Sequence, residues 1–215
     1  PNLPTKHKPA LPREELPEFY RRLILATNIE RQNKIAIMLI MLVFVRNNEL
    51  RGGQWQEVDF KNKRWIIPAE RMKHEKMKPK PALCVPLSDW AIELLQELHT
   101  LTGHSRFMFP SRTSVNRHIS ENTLGKIINE KLGYKGKATP HGFRAVASSL
   151  LYENNFNGGA IEIQLAHVEE DKTKDSYAYM AEYMPQRIEF MQWYSDYLRE
   201  QYNQALQMIQ ESRTV

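Results

Sequence analysis

The sequence predicts an α+β fold that is mainly α-helical and contains one small three-stranded antiparallel sheet. Apolar residues recur at helical spacing through most of the 215 residues. Between residues 55 and 87 that spacing gives way to three short runs rich in valine, isoleucine and tryptophan, which is typical of strands. Hydrophobic residues make up 41% of the chain, a proportion that supports a packed core.

The helices before the sheet are predicted from residue 13 onward. The first residues are rich in proline, which lacks the amide hydrogen that a helix needs, so no regular helix is expected before about Pro12. Residues 13–26 and 31–45 have the apolar spacing of helices, and the second is apolar enough to be mostly buried. Residues 1–12 are interpreted as a linker that arrives from an upstream domain.

Residues 55–60, 64–67 and 82–87 are predicted to form the sheet. A turn at residues 61–63 joins the first two strands, and a long basic loop joins the last two, so the strands pair most simply in antiparallel fashion. Cys84 lies in the third run and is interpreted as a packed strand thiol. Because it is the only cysteine, it cannot form an internal disulfide, and a reducing compartment is expected.

The chain is predicted to be helical from Ser88 onward. Ser88 and Ser120 are each interpreted as the cap of a helix, because a serine hydroxyl can accept a hydrogen bond from a first-turn amide. Gly133 is expected to end the second of these helices. Two further helices are predicted, one at residues 141–152 and a short one that ends near His167.

The balance of charge is compatible with a polyanionic partner. Thirty Lys and Arg residues against 25 Asp and Glu residues give a net charge of +5 and a pI near 9.2. The basic residues concentrate between Lys61 and Lys80. On charge alone, a phosphate-binding surface and a solvated charged hairpin are equally good interpretations of that stretch.

Several functional classes find no support in the sequence. It contains no GxxxxGK[ST], GxGxxG, HExxH or GxSxG motif. The seven histidines show no metal-ligand spacing, so neither a metal nor another cofactor is expected. Residues 35–45 form the longest apolar run, and it is too short to cross a bilayer.

A set of polar residues in a fixed order could perform phosphoryl transfer to a hydroxyl. Two arginines could bind the non-bridging oxygens of the transition state without a metal. A tyrosine, whose usual pKa is about 10, needs a base or a positive field to become a nucleophile, and the leaving oxygen needs a proton from a lysine or histidine. Each residue alone is weak support. The catalytic candidates are Arg46, Lys73, His141, Arg144, His167 and Tyr177.

This order resembles the catalytic domain of the tyrosine recombinase (phage integrase) family, and especially the integrases of prophages and genomic islands. The phrases that carry the resemblance extend over nearly the whole chain and include RNNELRGGQW, IIPAERMK, SENTLGKIINEKLGY, TPHGFRAVASSLLYE, IEIQLAHVE and MQWYSDYL. The resemblance implies the tyrosine recombinase catalytic fold. It also implies a site-specific DNA recombinase that integrates and excises a mobile element through a covalent 3′-phosphotyrosine, without metal or ATP.

The resemblance also implies a role for each candidate. Arg46 and Arg144 would clamp the scissile phosphate, and His141 would bind phosphate and help to move the proton of the nucleophile. His167 would donate a hydrogen bond to a non-bridging oxygen. Glu49, one helical turn after Arg46, would orient groups of the site rather than react.

Lys73 would protonate the leaving 5′-oxygen, and Tyr177 would attack the phosphorus. The hairpin that follows Lys73 is longer than usual in the family, so Lys76 and Lys78 compete for the role of the acid. Tyr179 is the alternative nucleophile, although a spacing of ten residues from the preceding histidine favours Tyr177.

Phe44 and Val45 precede Arg46 at positions where the family usually has small residues. We therefore expect the packing behind this arginine to differ from the family pattern.

DNA contacts are expected from the basic hairpin and from a few later cations, because such contacts position a duplex. These candidates are Lys76, Lys78, Lys80, Arg112, Arg117 and Lys126. The expected partners are double-stranded attachment sites, other protomers in a tetramer on DNA, and DNA-bending accessory or excision factors. The expected location is the bacterial cytoplasm, at the nucleoid and not at a membrane. A DNA-binding regulator without catalysis and a type IB topoisomerase are the alternatives.

The predicted domain organisation has three parts. Residues 1–12 would be the linker from a core-binding domain, and residues 13–185 the catalytic domain. Residues 186–215 would form a last helix, whose apolar face packs either on its own domain or on another protomer.

Overall fold

Helix α2 (Arg31–Val43) runs through the middle of the core, since every residue from Ile35 to Val43 is buried. The structure, a computed structural model, describes residues 9–72, 81–167 and 181–213. Helix α2 packs against α4 (Asp89–Thr102), α6 (Pro140–Glu153) and the long last helix, α8 (Met184–Glu211). The predicted buried helix is confirmed, but it ends at Val43, because Phe44 adopts a left-handed conformation with φ of 60°.

Helix α8 lies along α1 (Leu16–Leu25) and α4. A single 3₁₀ turn, Arg13–Glu15, precedes α1, so the helix predicted from residue 13 is confirmed. Buried side chains such as Phe190, Tyr194 and Leu198 form the apolar face of α8. This face therefore packs on the same chain, and docking of the tail on another protomer stays a prediction.

The predicted three-stranded sheet is confirmed. Strands β1 (Val58–Asp59), β2 (Arg64–Ile67) and β3 (Leu83–Pro86) are antiparallel and lie in that order. Along β2, Trp65 and Ile67 are buried while the residues beside them are exposed, as expected for strand alternation. Cys84 is buried in β3, and its burial raises the pKa of the thiol, which agrees with a packed and unreactive group.

A second, two-stranded sheet corrects the prediction that the chain is helical from Ser88 onward. Strands β4 (Pro110–Ser111) and β5 (Ser114–His118) pair in antiparallel fashion. The sequence signal was missed because no residue of β5 is buried, so the strand lacks the apolar alternation that reveals a half-buried strand.

The two predicted serine caps have different outcomes. The Ser88 hydroxyl accepts a hydrogen bond from the Ala91 amide at 3.3 Å, so the cap of α4 is confirmed. The cap at Ser120 is wrong, because α5 (Thr123–Lys126) begins later and the Ser120 hydroxyl lies 2.9 Å from the Thr123 hydroxyl instead. A π-helical turn at Ile127–Lys131 continues α5.

Gly133 follows with a φ of 77°, which confirms the predicted helix end.

The helices that carry the candidate histidines begin with side-chain caps. Thr139 Oγ1 accepts from the Gly142 amide at 2.9 Å at the start of α6, and the Asn157 side chain accepts from Ala160 at the start of α7 (Gly158–Gln164). The predicted helices at both places are confirmed. Among the described residues, no helix is both long and apolar enough to span a bilayer.

Candidate active site

An open cleft of about 840 Å³ lies where α3 (Asn47–Arg51), the 3₁₀ turn Ala69–Arg71, α5 with its π-helical turn, and the start of α6 meet. Amide side chains such as Asn48 and Asn129 line it together with basic ones. The basic side chains that line the cleft are Arg46, Arg71, Lys126 and His141. A concave surface of this composition suits a phosphate-bearing ligand.

Arg46 is held at the cleft by Glu49. The Glu49 carboxylate accepts from the Arg46 amide at 2.7 Å and from Arg46 Nη1 at 3.3 Å. The Glu49 side chain is only 1% exposed, whereas the Arg46 side chain is 16% exposed. The carboxylate thus orients the guanidinium from the protein side, which agrees with a supporting role for Glu49.

Arg144 lies in α6 and is 5% exposed. Its Nη1 donates to the carbonyl of Phe44 and its Nη2 to the carbonyl of Leu165, the latter at 2.7 Å. Burial and the positive charge of Arg46 lower the pKa of Arg144 to about 10, while Glu49 opposes the shift. The guanidinium therefore stays charged at pH 7.

The Phe44 side chain, two residues before Arg46, packs against large aromatic rings. The Phe44 ring packs edge-on against Tyr194 at 5.0 Å between centroids, and it lies parallel to the Phe190 ring at 6.4 Å. Both partners belong to α8. A left-handed backbone is unfavourable for a residue with a side chain, so this packing helps to hold Phe44 in place.

The two candidate histidines have different surroundings. His141 is exposed at the start of α6 and lines the cleft. His167 is exposed beyond the end of α7, and its Nδ1 lies 2.8 Å from Glu162 Oε2. The other oxygen of Glu162 accepts from the Tyr152 hydroxyl at 2.7 Å. The structure therefore brings His141 to the cleft and gives His167 a carboxylate partner outside the cleft lining.

The pKa values of this Tyr–Glu pair shift in opposite directions. The hydrogen bond to Glu162 raises the pKa of Tyr152 to about 12. Burial raises the pKa of Glu162, whereas the hydrogen bonds from Tyr152 and His167 lower it. The hydrogen bonds have the larger combined effect, so the pKa lies below its usual value. The carboxylate is therefore ionised at neutral pH and can hold the imidazole in one orientation.

The predicted DNA contacts are distributed unevenly. Lys126 lines the cleft, and Arg117 is exposed on β5. Arg112 is exposed as well, but its Nε forms an ion pair with Glu30 at 2.9 Å, away from the cleft lining.

The remaining predicted site residues lie outside the described residues, and their roles stay predictions. They are Lys73, Lys76, Lys78, Lys80 and Tyr177, together with the alternative nucleophile Tyr179.

Two parts of the site have no assigned role in the sequence prediction. Arg71 lies within the basic stretch from Lys61 to Lys80 and was not predicted to belong to the site, yet it lines the cleft and contacts both Glu57 and Glu49. Its position two residues before Lys73, in AERMK, was the available signal. Asn47 and Asn48 were also overlooked, although they follow Arg46 directly in RNNELR.

The helical core and the small sheet beside it agree with the catalytic domain of a tyrosine recombinase that the sequence predicted. The chain belongs to the phage integrase family, whose family model matches residues 11–183. The integrase of Enterobacteria phage P4 is 36% identical over 220 residues, which cover 97% of this chain and 50% of that protein. Prophage integrase IntZ of Escherichia coli (strain K12) is 37% identical over 191 residues, covering 88% of this chain and 45% of IntZ.

Solved structures share the fold. The crystal structure of XerA recombinase matches with a TM-score of 0.58 and 18% identity, over 92% of this chain and 65% of XerA. The catalytic core of lambda integrase matches with a TM-score of 0.55 and 15% identity, over 78% of this chain and 96% of that core. The chain spans about half the length of the curated relatives it matches.

Proposed function

We propose that this chain is the catalytic part of a site-specific DNA recombinase, an integrase that breaks and rejoins strands through a covalent 3′-phosphotyrosine. The observation that carries the proposal is the cleft lined by Arg46 and His141 in a phage integrase family member, with the buried Arg144 close enough to Arg46 for their charges to interact. These groups can bind the non-bridging oxygens of a phosphodiester, where negative charge develops in the transition state.

The proposed reaction exchanges one phosphodiester for another. The Tyr177 oxygen attacks phosphorus and forms a bond to it, and the bond from phosphorus to the 5′-oxygen breaks. Lys73 gives a proton to that 5′-oxygen, while the proton of Tyr177 leaves through His141. Rejoining is the reverse, with a 5′-hydroxyl as the attacking group. Arg46, Arg144 and His167 bind the phosphate throughout.

The proposed partners are duplex attachment sites and further copies of the recombinase. Solved relatives include the Tn1549 transposon integrase in complex with circular intermediate DNA and a lambda integrase tetramer bound to a Holliday junction. By analogy, four protomers would assemble on DNA together with DNA-bending accessory or excision factors. The assembly would form in the bacterial cytoplasm, at the nucleoid.

The proposed domain organisation keeps the predicted limits. Residues 1–12 link a core-binding domain to the catalytic domain at residues 13–185, and residues 186–215 form the tail helix. The described start of the chain supports a close connection to the catalytic domain, since Leu11 is buried and the Thr139 hydroxyl donates to the Pro9 carbonyl at 3.3 Å.

Trapping of the covalent intermediate tests this function. A suicide DNA substrate, nicked so that the cleaved fragment diffuses away, should accumulate a protein–DNA adduct that survives denaturation. Tyr177→Phe should abolish the adduct, because phenylalanine has no nucleophilic oxygen, whereas Tyr179→Phe should retain it. An adduct that persists in Tyr177→Phe would disprove this choice of nucleophile. If the unaltered chain binds DNA but forms no adduct, it is a binding module rather than a recombinase.

A further inference from the structure

The two carbonyls that accept hydrogen bonds from Arg144 belong to separate segments of the chain. Phe44 follows the end of α2, and Leu165 follows the end of α7. The guanidinium, on α6, keeps both hydrogen bonds only while these two segments stay at a fixed separation. These bonds leave further N–H donors of the guanidinium for a phosphate. The position of Arg144 therefore depends on how the ends of α2 and α7 are held together.

Both carbonyls lie next to an unfavourable backbone conformation. Phe44 has a φ of 60°, and Ala166, which shares a peptide unit with the Leu165 carbonyl, has a φ of 51°. A left-handed backbone is unfavourable for residues with a side chain, so the local sequence does not favour these carbonyl directions by itself. Contacts from elsewhere in the fold must therefore hold both segments in place.

Gln164 joins the two segments directly. It precedes Leu165 in the chain, and its side-chain Nε2 donates to the carbonyl of Val43 at 3.3 Å. Val43 in turn precedes Phe44, so one hydrogen bond connects the immediate neighbours of the two carbonyls that hold Arg144. Gln164 is fully buried, and water therefore does not compete for this hydrogen bond.

Arg187 on α8 fixes the orientation of the Gln164 amide. Its Nε and Nη2 donate to Gln164 Oε1 at 3.1 Å and 2.9 Å, and Nη2 also donates to the Cys84 carbonyl on β3. A guanidinium can only donate and a backbone carbonyl can only accept. The amide therefore has a single suitable orientation, with its oxygen toward Arg187 and its nitrogen toward Val43. A flipped amide would lose the hydrogen bonds on both sides.

We propose that Gln164, held by Arg187, is a positioning residue for Arg144. It sets the separation of the Phe44 and Leu165 carbonyls and thereby the place of the guanidinium. The inference rests on the proposed function, in which Arg144 binds the scissile phosphate. Gln164 is buried, so it acts through Arg144 rather than on the phosphate itself. A displacement of about 1 Å caused by a distant substitution can slow an enzyme about 100-fold, so the effect on cleavage is large enough to measure.

Two substitutions of Gln164 remove the contact with Val43 in different ways. Gln164→Glu keeps the length of the side chain and an acceptor for Arg187, but an ionised carboxylate has no N–H to donate to the Val43 carbonyl. Gln164→Met has a similar length, is neutral and makes neither hydrogen bond. A change that both variants share is therefore due to the lost contact with Val43 and not to the added negative charge.

The NMR signals of the Arg144 guanidinium report its position directly. In the unaltered chain, with isotope-labelled arginine, Nη1 and Nη2 of Arg144 should give separate signals, because their hydrogen bonds restrict rotation of the guanidinium. Arg144→Lys, which lacks these signals, assigns them. Both Gln164 variants should merge or broaden them while most backbone amide signals stay in place. Separate and unshifted Arg144 signals in both variants would overturn the positioning role.

Single-turnover cleavage of the suicide substrate measures the consequence for the reaction. Both Gln164 variants should cleave bound DNA at least about 10-fold more slowly, since a displaced Arg144 stabilises the transition state less well. Their affinity for DNA and the fraction of protein that finally forms the adduct should be unchanged. A normal rate with a smaller final fraction would indicate partial unfolding, and this result would contradict the proposal.

Ile161→Val is the matched control on the same helix. Ile161 is fully buried in α7, and the substitution removes one methylene group from the core without touching the Gln164 amide. It should leave both the Arg144 signals and the cleavage rate unchanged. If it reproduces the changes seen for Gln164, they reflect a general loosening of α7 and the positioning role is wrong. Failure of the recombinase function itself would look different, because the unaltered chain would form no adduct while its Arg144 signals, measured without DNA, would still respond to Gln164.

Discussion

At the scale of single residues, the site depends on one buried carboxylate. Glu49 neutralises part of the positive charge of Arg46 and also favours the charged form of Arg144. The Arg144 guanidinium itself donates hydrogen bonds to backbone carbonyls. Two guanidinium groups close together repel each other before DNA arrives. Glu49 therefore offsets part of this repulsion.

Replacement of Glu49 should reduce both stability and cleavage. Glu49→Ala leaves the partly buried Arg46 without its carboxylate, so we expect the free energy of unfolding to fall by about 2–4 kcal/mol. This loss is smaller than for a fully buried pair, because the Arg46 side chain is partly exposed to solvent. Urea denaturation followed by suicide-substrate kinetics would measure both effects. Unchanged stability together with an unchanged cleavage rate would contradict this role of Glu49.

Glu49 also shows what sequence reasoning can predict about the site. The candidates Arg46, Glu49 and His141 came from the order of motifs, and the structure brings them to one cleft. The contacts of Arg71 with Glu57 could not be predicted in this way, because they join residues whose proximity depends on how β2 and the following turn fold back. Sequence spacing contains no information about such side-chain directions.

At the scale of elements, buried polar side chains join the segments that carry the site. Gln164 Nε2 on α7 donates to the Val43 carbonyl at 3.3 Å, at the end of α2. The Gln164 oxygen accepts from Arg187 Nε at 3.1 Å, and Arg187 also donates to the Cys84 carbonyl on β3. Both side chains are fully buried. The sequence could not reveal this, because glutamine and arginine are usually exposed.

The first turn of α6 gives a prediction at the same scale. A β-carbon at Gly142 would lie 2.1 Å from the Pro9 carbonyl, a backbone atom that cannot easily move. Gly142→Ala should therefore destabilise the fold by about 1–3 kcal/mol, as overpacking does. It should also slow cleavage, since His141 and Arg144 lie in that turn.

Gly125→Ala is the matched control for stability, because a β-carbon there meets nothing within 4 Å. Alanine favours a helix more than glycine does, so stability should be unchanged or rise by up to about 1 kcal/mol. Equal stability losses in both variants, measured by thermal unfolding, would argue against the close approach of Pro9 to α6.

At the scale of the whole molecule, the fold was the most predictable level. The helical core, the three-stranded sheet and the order of the elements followed from apolar periodicity and turn residues. The two-stranded sheet of β4 and β5 did not, because its strands are short and their side chains are largely solvated. Strands that bury few side chains do not need alternating apolar residues, so their sequences lack the pattern that predicts a strand.

The net charge of +5 gives a prediction at this scale as well. Binding to duplex DNA should weaken as salt rises, with a logarithmic slope of about −0.9 for each phosphate neutralised. Lys126→Ala should make that slope shallower by about 1, because Lys126 lies in the cleft. Arg112→Ala should change it less, since Arg112 is paired with Glu30. Fluorescence anisotropy over a salt series would measure both, and equal slopes for the two variants would refute the assignment.

The two backbone carbonyls that hold Arg144 have a thermodynamic consequence. A free arginine side chain loses up to about 2 kcal/mol of rotamer entropy when it is fixed. In this chain the side chain is already immobilised by Phe44 and Leu165 before any nucleic acid is present. That entropy is lost when the protein folds rather than when the phosphate binds. Arg144 is thus preorganised, and its full electrostatic effect is available to the transition state without reorganisation of the side chain.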